Sequence, residues 1–188
     1  MSQTNSNYER KDHELYPTPR WVTQALMRHM DLTGGVWECA AGEGMMANEL
    51  DKLPEHAAVF RSDIRPCDGL HWVGNFLQAD HAHRPNIVTN PPYGKGGKLA
   101  EQFIEHALRL TLQRQGQVAM LLRVDFDSAK TRMKIFGDHL AFSRKIVLTS
   151  RIKWFEGPAG PSENHAWYIW DWKHDGGPPT IGYAGRAA

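Results

Sequence analysis

The chain reads as an α/β protein built on a doubly wound, mostly parallel seven-stranded sheet with the last strand antiparallel. Three observations predict this. Short apolar runs alternate with helix-like segments along residues 15–172, and that alternation covers both faces of a parallel sheet with helices. The turn Gly42-Glu43-Gly44 falls between the first apolar run and a helix, where small residues let the backbone turn sharply and lie against a ligand. The last two runs, 144–150 and 165–172, have only a loop between them, so they are antiparallel neighbours.

The elements follow in order. Residues 1–14 are polar and read as a disordered tail, residues 15–175 as a single domain. Residues 176–188, opened by Gly176-Gly177-Pro178-Pro179, read as a C-terminal tail. Thr18-Pro19 reads as an N-cap followed by proline at the first helical position. The helix it opens places Val22, Ala25, Leu26 and Met30 on one side. Residues 36–40 are a short buried strand and 45–52 a helix; strands follow at 57–64, more weakly at 71–77, and at 86–90. The clearest helix spans 98–113, with Leu99, Phe103, Ile104, Ala107, Leu108 and Leu112 sharing a face. Residues 117–124 are a buried strand and 129–139 a helix, before the two closing strands. Trp37, Trp167, Trp170 and Trp172 read as core or edge packing. Ligands of such a sheet bind at the C-terminal ends of its strands.

Composition bounds the function. The 188 residues suffice for one domain with a substantial core, and 41% apolar with 23% charged residues is a globular composition. Two cysteines, Cys39 and Cys67, form neither a disulfide framework nor a CxxC zinc site, which makes a reducing cytoplasm the expected compartment. No apolar run reaches the length of a membrane span, and the polar N-terminus is unlike a secretion signal; no membrane partner is expected. The net charge of +1 hides an asymmetry: residues 94–153 hold 12 Lys or Arg against 5 Asp or Glu. That segment is either a solvated face or a surface that meets phosphates.

Four motifs carry chemistry or exclude it. Asp63 ends the second strand about 20 residues beyond the glycine turn, the spacing at which nucleoside-binding sheets place an acid for ribose hydroxyls. The run Gly94-Lys95-Gly96-Gly97-Lys98-Leu99 is no phosphate loop, because Pro92 and Leu99 occupy positions that need glycine and a hydroxyl. His81-Ala82-His83 lacks a carboxylate or cysteine at ligand spacing and reads as a surface loop, so no metal is expected. The corner Asn90-Pro91-Pro92-Tyr93 ends the fourth strand. Two prolines there fix two φ angles and remove two donors, leaving a stiff turn that presents carbonyl oxygens.

Taken together, Glu38-Cys39-Ala40-Ala41-Gly42-Glu43-Gly44, then Asp63, then Asn90-Pro91-Pro92-Tyr93 resembles the class I S-adenosylmethionine-dependent methyltransferases that modify amino groups. Tyr16-Pro17-Thr18-Pro19 ahead of the glycine turn makes the order similar to small phage-type adenine (N6) DNA methyltransferases, over roughly residues 15–172. The resemblance implies a Rossmann-like methyltransferase domain in a bacterial or phage-infected cell, S-adenosylmethionine as cofactor and DNA as partner. It implies cofactor contacts from Tyr16, Pro17, Thr18, Glu38, Ala40, Gly42, Gly44, Asp63, Ile64, Asn75, Phe76 and Asn90. Asn75 stands where the family often has an acid. It implies catalysis at Asn90, Pro91, Pro92 and Tyr93: two fixed acceptors draw a planar amine toward tetrahedral geometry while Tyr93 stacks on the base. A base in a duplex must be flipped out to be reached, and Trp154 or Phe155 is expected to receive it beside Tyr93. No separate recognition region is evident, so weak or short sequence specificity is expected, with Lys95, Arg123, Lys130, Arg132 and Lys134 as nucleic-acid contacts. RNA adenine, cytosine amines and protein glutamine remain alternative substrates, and a nucleic-acid-binding protein with lapsed catalysis is an alternative of another class.

Overall fold

Strands buried on both faces build two layers of core, one on each side of the sheet. The computed structural model describes residues 16–52, 58–154 and 163–186. Eight strands form one sheet: β1 (Val36–Glu38), β2 (Val59–Asp63), β3 (Trp72–Val73), β4 (Asn86–Thr89), β5 (Gln117–Arg123), β6 (Phe142–Leu148), β7 (His165–Asp171) and β8 (Thr180–Ala184). Their order is β3-β2-β1-β4-β5-β7-β6-β8. Only β7 runs against its neighbours, pairing antiparallel with both β5 and β6. Successive side chains of a strand face opposite sides of the sheet. On β5, Val118, Met120 and Leu122 therefore join one core, which holds Phe103, Ile104 and Leu108 of helix α3 (Lys98–Thr111). Ala119 and Leu121 join the other, with Val22 and Leu26 of α1 (Arg20–Met27) and Met46 and Leu50 of α2 (Met45–Leu50). Three of the tryptophans expected in the packing, Trp37, Trp167 and Trp170, are wholly buried. Their indole N–H groups donate to Ser62 Oγ, the Val22 carbonyl and the Ile135 carbonyl.

Several expectations are corrected. The sheet has eight strands rather than seven, and the eighth lies in the segment expected to be a tail. β8 pairs parallel with β6 over five residues; Thr180, Ile181 and Tyr183 favour a strand, a signal that the Gly-Gly-Pro-Pro run just before it masks. The segment 129–139 forms 3-10 turns over Lys130–Ile135, just after those at Phe126–Ser128, instead of an α-helix. Of residues 130–135 only Ile135 is buried, which leaves no apolar stripe to hold an α-helix against the core. Leu112, expected on the buried face of α3, is 45% exposed just beyond that helix's end. Thr18 is not the N-cap of α1: Pro19 is, without a side-chain cap bond. The expected tail 1–14 lies outside the described residues.

α1 is clamped to α2 through Glu49, whose carboxylate accepts from Gln24 Nε2 and Lys52 Nζ, each at 2.6 Å. Burial alone would raise the pKa of Glu49, but these two donors hold it below the usual value. Just ahead of α1, the Tyr16 carbonyl and Thr18 Oγ1 accept from Asn90 at the end of β4. No helix among the described residues is long and apolar enough to cross a membrane.

Candidate functional site

A cavity of about 420 Å³ opens at the C-terminal ends of β1, β2 and β4, within the size range of small-molecule sites. Tyr16, Pro17, Thr18, Glu38, Ala40, Gly42, Asp63, Ile64, Asn75, Phe76 and Asn90 all line it. Gly44 does not; it is the N-cap of α2 with φ 78°, and a Cβ there would crowd the Arg61 guanidinium at 3.3 Å. Gly42 has φ 52°, a left-handed conformation that glycine adopts without cost, and its N–H donates to Asp63 Oδ2 at 2.8 Å. Asp63 Oδ1 accepts from the Arg65 N–H at 3.0 Å, so this carboxylate ties the β2 end to the glycine turn. Asn75 Oδ1 accepts from the Leu77 N–H at 3.0 Å, which leaves its amide nitrogen without a partner among the described residues.

Glu38 is the unusual acid. It is 2% exposed, and burial pushes its pKa well above the ordinary carboxylate value despite a bond from the Ala47 N–H. Its Oε2 is buried with no hydrogen-bond partner among the described residues. A buried, unpaired carboxylate oxygen is costly, and in a cavity wall it calls for a cationic or donor group.

The Asn90 amide is held on one side only. Its Nδ2 donates to the Tyr16 carbonyl and to Thr18 Oγ1, both at 3.3 Å. Oδ1 has no partner among the described residues, and neither has the carbonyl of the buried Pro91. Acceptors on two successive residues are thus left open among the described residues, and Asn90 lines the cavity. Pro92 lines the cavity, whereas Pro91 and Tyr93 do not. The Tyr93 hydroxyl accepts from the Arg123 N–H at 2.7 Å, and burial raises its pKa above the usual tyrosine value. Its ring meets Phe126 edge-on at 5.9 Å. Trp154 is half-buried and packs edge-on against Tyr16 at 5.6 Å and His165 at 5.2 Å. Phe155 lies outside the described residues.

The cations expected on phosphates divide in two. Arg123 pairs with Asp125 and Glu163, each at 3.1 Å, and Lys134 pairs with Glu105, which raises the pKa of the lysine. Arg132 is engaged within the fold: its guanidinium bonds Glu101 at 2.7 Å and the Phe126 and Gly96 carbonyls at 2.9 Å, and lies over the Phe126 ring. These bonds brace the 3-10 turns against α3. Lys95 and Lys130 are exposed with no partner among the described residues, as is Lys98.

Sequence reasoning missed several lining residues. Cys39, Met45, Met46, Leu99 and Phe103 also wall the cavity. Leu99 and Phe103 sit on the apolar stripe of α3, which reads as core, and only their place at its first turns, beside the proline corner, distinguishes them. Burial pushes the Cys39 thiol well up, so it is an apolar wall and no nucleophile. His83 stacks on Phe60 at 4.0 Å and contacts His81 at 4.8 Å; among the described residues no group of three His, Cys, Asp or Glu is placed to hold a metal.

Sheet order, the antiparallel β7 and the cavity over β1, β2 and β4 give this chain the fold of the class I S-adenosylmethionine-dependent methyltransferases. No family model and no curated protein sequence matches it. Among solved structures, a protein from Listeria monocytogenes assigned to that class superposes with a TM-score of 0.63 at 13% identity, over 97% of this chain and 68% of that one. The methyltransferase subunit of a type I restriction-modification system from Streptococcus thermophilus gives 0.59 at 16%, over 85% and 45%. The M protein of the type I restriction enzyme EcoKI gives 0.54 at 18%, over 82% and 43%. The chain spans about two-thirds of the first and less than half of the other two. At these identities the likeness is one of fold.

Proposed function

We propose that this chain transfers a methyl group from S-adenosylmethionine to the exocyclic amino group of adenine in DNA, with loose or short sequence specificity. The observation that carries the reading is a proline corner that leaves Asn90 Oδ1 and the Pro91 carbonyl without partners among the described residues, with Asn90 and Pro92 on the cavity wall.

The cavity fits the cofactor on its own chemistry. Glu38, whose Oε2 is buried without a partner among the described residues, lies in the cavity wall, where a cationic group could meet its carboxyl. The turn held by Gly42 and Asp63 lets backbone approach closely, and Ile64, Asn75 and Phe76 offer a slot for a flat base. Tyr16, Pro17 and Thr18 close the side next to Asn90. Bound there, S-adenosylmethionine supplies an electrophilic methyl group on a sulfonium. Asn90 Oδ1 and the Pro91 carbonyl each accept one N–H of the incoming amine and direct its lone pair toward that methyl. Positive charge grows on the nitrogen during transfer, so two preset acceptors stabilise the transition state more than the ground state. The proton then leaves to water, and no general base is required. Tyr93, anchored by its hydroxyl, and Trp154 flank the corner as stacking surfaces for an extruded base.

DNA as the partner is supported by the names of the restriction-modification neighbours and by Lys95, Lys98 and Lys130 at the ligand end of the sheet. The pairing of Arg123, Arg132 and Lys134 with carboxylates favours a second reading, the same chemistry on an amine outside nucleic acid, such as a glutamine amide. The test is incubation with labelled cofactor and DNA, RNA or protein, followed by digestion and identification of the product. Label in N6-methyladenine supports the first reading; label in glutamine replaces it with the second. No transfer to any substrate, with the cofactor bound, removes both.

A further inference from the structure

Thr18 has a hydroxyl without a capping duty. It is 4% exposed, it precedes a proline N-cap that uses no side chain, and its Oγ1 receives the Asn90 amide at 3.3 Å. The neighbouring Tyr16 carbonyl receives the same nitrogen at the same distance. The geometry points to Thr18 as a positioning residue that, with the Tyr16 carbonyl, fixes which way round the Asn90 amide sits. The inference rests on the methyl-transfer reading for its kinetic consequence, though the lock itself does not.

The physical argument is one of donors and acceptors. In the observed orientation Nδ2 has two acceptors and Oδ1 is left open for a substrate hydrogen. Turned over, the amide would set Oδ1 against the Tyr16 carbonyl, lone pair to lone pair, and offer NH2 to an incoming NH2. Such a pose cannot accept a substrate hydrogen. The carbonyl alone biases the orientation; the Thr18 oxygen adds the second anchor and stops the side chain from swinging. Because residues 16–18 also wall the cavity, the segment that lines the cofactor space is the one that aims the substrate acceptor.

The test compares Thr18→Val, which keeps the shape and removes the oxygen, with Thr18→Ser, which keeps the oxygen. Thr18→Val is expected to lose about tenfold in kcat, the worth of one hydrogen bond, with KM for either substrate changed less than about twofold. Thr18→Ser should restore most of the rate. A second readout needs no activity: in nitrogen-15 spectra, the Asn90 side-chain NH2, assigned by its loss in Asn90→Ala, should exchange with water faster in Thr18→Val than in the wild type or Thr18→Ser. Equal exchange in wild type and Thr18→Val overturns the proposal, and so does a Thr18→Ser enzyme as slow as Thr18→Val. If the wild type methylates nothing, the reaction assigned above is wrong, and the exchange comparison alone upholds or overturns the lock.

Discussion

Replacing Asn90 with alanine separates two quantities that the site combines. The first is stability. The side chain makes two hydrogen bonds, each long at 3.3 Å, to Tyr16 and Thr18, so its loss should cost about 1 kcal/mol, with the Thr18 hydroxyl partly left over. The second is catalysis. The lost Oδ1 is one of two fixed acceptors facing a nitrogen that gains charge, comparable to deleting one donor from an oxyanion site, which costs about 100- to 1,000-fold in kcat. The asymmetry is the useful part, because a modest change in urea midpoint should accompany a collapse in rate. Single-turnover transfer of labelled methyl at saturating cofactor gives the rate, and calorimetry checks that cofactor affinity is nearly unchanged. Asn90→Asp adds a discriminating case. It keeps an acceptor oxygen but puts negative charge against the Tyr16 carbonyl and loses both donor contacts, so it should also be slow. A normal single-turnover rate in Asn90→Ala would refute the reasoning, whatever its stability.

Other expectations follow from the charges. Binding to duplex DNA through Lys95, Lys98 and Lys130 should give a slope of log K against log salt of about −3, and each lysine-to-alanine change should reduce it by about 0.9. Arg132→Ala should leave that slope alone and instead lower the urea midpoint, since its partners are Glu101 and backbone carbonyls; a changed slope would mean that it reaches a phosphate. His165, buried and lowered from 6.5 to about 4, is neutral in the fold while the unfolded chain takes up a proton. Stability should therefore fall as pH drops from about 6.5 to about 4, by roughly 3 kcal/mol, and a His165→Phe variant with the same pH profile would contradict this. Glu38, raised by burial, should give up its proton when a cation is placed against it. Cofactor binding should then release a proton and tighten as pH rises. Calorimetry in buffers of different ionisation heat reads the release, Glu38→Gln should abolish it, and a wild type with no buffer dependence would rule it out.

The strands β1, β2, β4, β5, β6 and β7 and the helices α1 to α3 were legible because each is a local record of burial. An apolar run such as 117–124, or the stripe on 98–111, shows in the chain what its surroundings must be. The cavity-lining turn and the proline corner were legible for a related reason: glycine and proline restrict the backbone wherever they occur. β8 was missed because the Gly176-Gly177-Pro178-Pro179 run read as the end of the domain although Thr180, Ile181 and Tyr183 favour a strand, and the loss of helix at 129–139 was missed because no stripe exists there for the core to hold. The surface charges misled as well. Five cationic residues read alike in the sequence, yet Arg132 is enclosed by Glu101 and two carbonyls while Lys95 and Lys130 stand open to solvent.

The sequence by itself determined the alternation of strand and helix, the glycine turn and the stiff Asn90-Pro91-Pro92 corner, all of them consequences of covalent geometry and local periodicity. Only the tertiary structure decided which atoms remain available. The Asn90 amide is oriented by a hydroxyl 72 residues away, and Glu38 keeps an oxygen for which no donor is placed among the described residues. Directional bonds and ion pairs depend on which segments meet in space, and no local pattern along the chain records that meeting.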